Sequence, residues 1–142
     1  MSEEPITIEK LQQLITRGPF NRWLNLTLLK AGAEGIEMKA AWREEWVVNP
    51  DRRYTHGGIL AAIIDVAADY AIAARIGRPV PTIDLRVDYH KAAMPGDITA
   101  EARVVRLGGQ YSTAEAFLYD REGALVASGR GTYLTAEPKA SL

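Results

Sequence analysis

Residues 57–76 read GGILAAIIDVAADYAIAARI, and no other stretch restricts the fold of this chain as strongly. The segment is too long for an ordinary strand and is rich in alanine, the best helix former. Ile59, Ala62, Ile63, Val66, Ala67 and Tyr70 recur at the i, i+3, i+4 spacing of one helix face. Ala61, Ala68 and Ile72 make the opposite side apolar as well. A helix that is apolar nearly all round has to be buried nearly all round. In a chain of 142 residues, which suits one domain with one core, that helix needs a sheet wrapped around it. Gly77 and Pro79 stop it. Asp65, set between Ile64 and Val66, is then the anomaly to explain.

The flanks supply the sheet. Thr7 can cap a first helix over about 7–17, with Ile8, Leu11, Leu14 and Ile15 on one face, and Gly18 and Pro19 end it. Residues 23–30 and 36–42 read as strands around a turn at 31–35, so they should form a hairpin. Residues 47–55 read as a loop. After Pro81 the period becomes two: Ile83, Leu85, Val87 and Tyr89 alternate with Thr82, Asp84, Arg86, Asp88 and His90, which predicts a half-buried strand. Three more strands follow, over 98–107, 111–120 and 124–134, with tight turns between them. Successive strands joined by short turns are expected to pair antiparallel. The expected fold class is α+β, with residues 1–142 forming a single domain.

Composition removes several kinds of chemistry. The net charge is −1 and there is no basic run, so a nucleic-acid partner is not expected. No apolar run reaches the roughly 18 residues of a membrane span. The acidic start, MSEEPITIEK, has no apolar signal core, so a cytoplasmic location is expected. Cysteine is absent, which excludes a thiol nucleophile and a thiolate metal site. The two histidines, His56 and His90, have no second histidine at ligand spacing, so no metal is expected. The serines sit in no GxSxG elbow, and neither a phosphate loop nor a GxGxxG fingerprint occurs. Any catalysis has to use carboxylates, a histidine and backbone dipoles.

Asp65 has no cation three or four places away; those positions hold Ala61, Ala62, Ala68 and Asp69. A buried carboxylate without a partner costs several kcal/mol or gives up its charge, which favours a functional reason for it. Asp69, one turn on, is expected to cap a strand backbone or pair with an arginine. His56, Gly57 and Gly58 open the helix. The first N–H groups of a helix have no intrahelical acceptor and carry partial positive charge, so they can hold an oxygen gaining negative charge.

The element order, the HGG at 56–58 with an acid eight positions after its first glycine, and the ending GALVASGRGTYL together resemble the hotdog fold. More narrowly they resemble the PaaI-type acyl-CoA thioesterases, over about residues 23–134. The resemblance implies hydrolysis of acyl-CoA to free CoA and a carboxylic acid. It implies Asp65 as general base or nucleophile, the Gly57 N–H as oxyanion donor, His56 as a support for loop or carbonyl, and Thr82 as an orienter of water. The family's asparagine, six positions before the histidine, falls on Pro50 here; Asn49 lies one earlier, and Arg53 replaces a usual glycine. Asn49 remains a candidate in this altered loop. The CoA-contacting segments of the family correspond to Gly58, His90, Lys91, Arg106, Gly108 and Gly109. No cofactor beyond the CoA of the substrate is implied.

Gly57 and Asp65 lie eight residues apart on one helix, about 12 Å along its axis. One thioester cannot reach both, so the site should combine the helix start of one subunit with Asp65 of another. The expected assembly is a homo-oligomer, a dimer or a tetramer built as a dimer of dimers. Two other readings stand beside hydrolysis. A hotdog enoyl-CoA hydratase would use Asp51 and His56, five positions apart. A non-catalytic acyl-CoA-binding sensor would keep the pocket without needing Asp65.

Overall fold

The computed structural model describes residues 6–138, so both ends of the expected 1–142 domain lie outside the described residues. Helix α1, Ile8–Arg17, begins where the Thr7 side chain accepts the Lys10 N–H at 3.2 Å. Gly18 ends it, but Pro19 does not end helical structure. It takes the first position of a second short helix, α2, Pro19–Trp23, where its missing N–H costs nothing. The strand expected from residue 23 therefore starts later. Asn25 turns the chain at φ 55, and β1 runs Leu26–Gly32. Strand β2, Gly35–Ala40, closes the expected hairpin with β1. A short 3₁₀ turn at Glu44–Trp46 leads into the loop before the long helix α3, Gly57–Ile76, which stops at Gly77 in the left-handed region, φ 86. Strands β3 (Thr82–Tyr89), β4 (Ile98–Arg106), β5 (Tyr111–Tyr119) and β6 (Leu125–Leu134) complete the order.

The six strands form one antiparallel sheet, β1-β2-β4-β5-β6-β3, and α3 packs against every one of them. Consecutive β3 and β4 do not pair, contrary to expectation. The eight residues 90–97 between them carry the chain across the end of the sheet, so β4 joins β2 and β5 while β3 takes the free edge beside β6. A sheet curled around a helix needs such an element to cover the helix's remaining side.

The core is built from Leu60, Ile63, Ile64, Ala67, Ala68 and Ile72 of α3 against Met38, Trp46, Ile98, Leu118, Val126 and Tyr133. Burial of α3 is less complete than its composition predicts. Ile59, Ala62, Asp65, Val66 and Asp69 form a half-buried stripe. Strand β3 is likewise more open than its alternation predicts: Ile83 is 53% and Tyr89 54% exposed, with Leu85 and Val87 half-buried. Among the described residues, no helix is long and apolar enough to cross a membrane.

Candidate active site

Asp65 projects from the half-buried stripe of α3 and is not the unpaired carboxylate expected from its neighbours in sequence. The Thr82 hydroxyl donates to Asp65 Oδ1 at 2.8 Å, and the Tyr133 hydroxyl donates to the same oxygen at 2.9 Å. Tyr133 also reaches the Asp65 backbone oxygen at 3.2 Å. Cations are absent from the helix around Asp65 because hydroxyls from two strands meet it instead. Among the described residues, no side chain donates to Oδ2.

Simple alternation would put Thr82 on the outer face of β3 with Asp84 and Arg86. The ladder register slips between Thr82 and Asp84, and this bulge turns Thr82 inward. Thr82 then pairs with Tyr133 on β6, and both residues face α3. Sequence reading missed Tyr133. Its available signal was the spacing of Gly129, Gly131 and Tyr133 in the last strand.

Asp69 accepts the Val80 N–H at 2.8 Å, one of the two structural roles expected for it. Burial raises its carboxyl to about 7, the Val80 bond works against that rise, and the neighbouring Asp65 charge adds to it. By holding Val80, Asp69 fixes the chain two residues before Thr82.

At the start of α3, His56 is the N-cap: its Nδ1 accepts the Gly58 N–H at 2.7 Å. An accepting Nδ1 leaves the ring proton of neutral His56 on Nε2, and the ring is exposed. The Gly58 N–H, expected at the substrate, is therefore already taken. The Gly57 N–H has no acceptor among the described residues. The His56 oxygen accepts from Ile59 at 3.0 Å, which polarises the peptide that carries this free donor. Tyr89 lies over Gly57, donating to its oxygen at 2.7 Å, and a Cβ on Gly57 would meet the Tyr89 ring at 3.2 Å.

Asn49 has a local task. Its side-chain oxygen accepts the N–H groups of Asp51 at 2.9 Å and Arg52 at 3.3 Å, which shapes the loop. Arg53, standing where the resembling family has glycine, adopts φ 63, a region glycine occupies at least cost. Its guanidinium grips Glu44 with two bonds, 2.6 and 2.8 Å, and that hydrogen bonding holds the Glu44 carboxyl below its usual range. The loop is also tied by His56 N–H to Trp46 O at 2.7 Å and Thr55 N–H to Ala93 O at 2.8 Å.

The residues expected at CoA fall into two groups. His90 Nε2 lies 2.8 Å from Ser128 Oγ, and Lys91 pairs with Asp120 at 3.6 Å. Arg106 reaches Tyr111 O at 3.4 Å, in the β4–β5 turn. There the Gly108 N–H donates to Ser112 Oγ at 3.0 Å and its oxygen accepts from Thr135 at 2.6 Å, so Gly108 serves the turn itself. Open space surrounds Gly109. A surface groove between the β1–β2 hairpin and β4, lined by Lys30, Glu101, Arg103 and Phe117 among others, contains none of these candidates.

Residues 53–127 match the family described as the thioesterase superfamily. A solved structure described as a protein from that superfamily is 50% identical, with a TM-score of 0.88, covering 89% of this chain and 96% of that one. The Escherichia coli medium/long-chain acyl-CoA thioesterase YigI is 29% identical over 132 residues, 82% of this chain and 84% of the relative. A Halobacterium salinarum protein named "Putative esterase" is 39% identical over 94 residues, 59% of this chain and 62% of that relative's length. With its six-stranded hotdog sheet around α3, the chain belongs to the thioesterase superfamily and is a thioester hydrolase.

Proposed function

We propose that the chain hydrolyses acyl-CoA thioesters, with Asp65 as general base and the Gly57 N–H as oxyanion donor. The observation that carries this reading is the arrangement at Asp65: Oδ1 is held by two hydroxyls while Oδ2 has no donor among the described residues. Oδ2 takes a proton from a water as that water attacks the thioester carbonyl carbon. The lone pairs of Thr82 help to place the water. The carbonyl oxygen gains charge against Gly57 N–H. Collapse breaks the C–S bond, the proton passes to the CoA sulfur, and carboxylic acid and CoA leave.

The working form in this reading is a homo-oligomer, a dimer at least, and a tetramer as a dimer of dimers if dimers pair further. The helix is continuous from Gly57 to Asp65, which keeps them about 12 Å apart within one chain. The β3 edge, with Ile83 and Tyr89 half exposed, offers an apolar strand to a second copy. His90, Lys91, Arg106 and Gly109 are proposed to meet the CoA moiety at the rim. Asn49 and Gly58 support the loop and the cap.

The hydratase reading needs Asp51 and His56 to act as a pair. Here His56 Nδ1 is occupied by the Gly58 N–H and no hydrogen bond joins Asp51 to His56 among the described residues, which favours hydrolysis. Incubation with a panel of acyl-CoAs, medium and long chains included, and a thiol reagent tests the proposal. Release of free CoA supports it. A hydrated product without thiol would give the hydratase, and binding with no turnover would give the sensor.

A further inference from the structure

The segment GRGTY, residues 129–133, has a feature that the resemblance alone does not explain. Gly129, Gly131 and Tyr133 alternate along β6, and the first two have no room for a side chain. A Cβ on Gly129 would come within 2.6 Å of Arg86 O and 2.8 Å of Ile64 Cγ2. A Cβ on Gly131 would clash with the hydroxyl edge of the Tyr133 ring, at Cε2, Cζ and the phenol oxygen. Gly129 thus lets α3 approach β6 closely, and Gly131 lets the Tyr133 ring lie back along its own strand. The ring is 0% exposed, and its hydroxyl donates to Asp65 at both the carboxylate and the backbone oxygen, with the Thr82 hydroxyl beside it. A phenylalanine would fill the same space without burying a hydroxyl. The hydroxyl is therefore best explained by what it does to Asp65.

We propose that Tyr133 is a positioning residue for the reaction: with Thr82 it locks Oδ1 of Asp65, fixing the carboxylate so that Oδ2 is the oxygen that meets the water. This rests on the reading of Asp65 as the base. Burial, then the Asp65 charge, pushes the Tyr133 phenol well above its ordinary value, so the group stays a donor throughout the working pH range.

The test is Tyr133→Phe in the full chain, measuring thermal stability together with kcat and KM on an acyl-CoA that the parent hydrolyses. Asp65→Asn serves as the reference variant. The expected result is a fall in kcat of about tenfold, from loss of one hydrogen bond to a charged group, with KM nearly unchanged. A merely structural role would lower thermal stability and leave the kcat of the folded variant at the parental value. If Asp65→Asn is inactive and Tyr133→Phe folds and shows the parental kcat, the Tyr133 proposal is overturned while the base reading stands. A fully active Asp65→Asn overturns both. Should Tyr133→Phe not fold, Gly131→Ala keeps the phenol and displaces its ring; the same loss in kcat with KM nearly unchanged is expected, and a parental kcat in that variant overturns the proposal.

Discussion

Thr82 and Tyr133 face one another across the β3–β6 ladder, and both donate to the same oxygen of Asp65. One carboxylate oxygen is thus spent on structure while the other stays available. The arrangement depends on the bulge after Thr82, without which that hydroxyl would point to the outer face of the sheet.

Asp65→Asn should separate activity from stability. The amide oxygen can still accept from Thr82 and Tyr133, so stability is expected within about 1 kcal/mol of the parent. The base is gone, so kcat should fall by at least about 10²-fold with little change in KM. Steady-state kinetics and a urea titration check both halves. Parental turnover from a destabilised variant would assign Asp65 a structural role.

Gly57→Val is expected to lower kcat by about 10²-fold to 10³-fold, the usual scale for losing one oxyanion donor. The backbone there is not left-handed, so the cost is one of space rather than of φ. The new Cβ would meet the exposed Tyr89 ring, which can give way, and the branches would occupy the space before the free N–H. Circular dichroism should show a folded protein, and unchanged kcat would leave the HGG segment with a purely structural task.

These two variants can also be mixed. If each site takes Gly57 from one chain and Asp65 from another, a hybrid dimer of Gly57→Val and Asp65→Asn chains has one intact site. Random exchange should then restore about a quarter of the parental activity to two inactive preparations. Recovery on mixing is read directly in the assay. A mixture as inactive as its components would place the whole site within one chain.

Asp69 should make stability depend on pH. Its carboxyl is raised from 3.8 to about 7 in the folded chain. Below the lower value both states are protonated and the group has no effect. Between the two values the unfolded chain ionises while the folded chain keeps its proton, so this group lowers stability progressively as pH rises, and its full cost is present above about 7. Asp69→Asn can still accept from Val80 but lacks that slope. Its stability relative to the parent, from urea midpoints, should rise with pH across this window and then level off. A difference that is constant across pH would show that burial does not perturb Asp69.

The sequence by itself determined the long helix and its limits, because a largely apolar, alanine-rich segment of 20 residues that opens with the glycines of HGG and stops at a Gly-x-Pro has few other ways to satisfy its backbone and bury its side chains. It also determined the hairpin β1–β2, the three strands after residue 97, and Asp65 as the anomalous residue, since period and charge are local properties. It did not determine that Pro19 opens a helix rather than ending one, because proline suits a first turn as well as a break. Only the tertiary structure decided that β3 lies at the sheet edge beside β6, away from its neighbour in sequence, because pairing of distant strands depends on covering α3 rather than on turn chemistry. It decided the partners of Asp65 for the same reason. Thr82 and Tyr133 lie 17 and 68 positions away in the chain, and a one-residue slip in register sets the direction of the first. Hydrogen bonds across a curled sheet leave no periodic trace. The room that Gly131 leaves for the Tyr133 ring, and the bond from that ring to Asp65, likewise exist only in the folded chain.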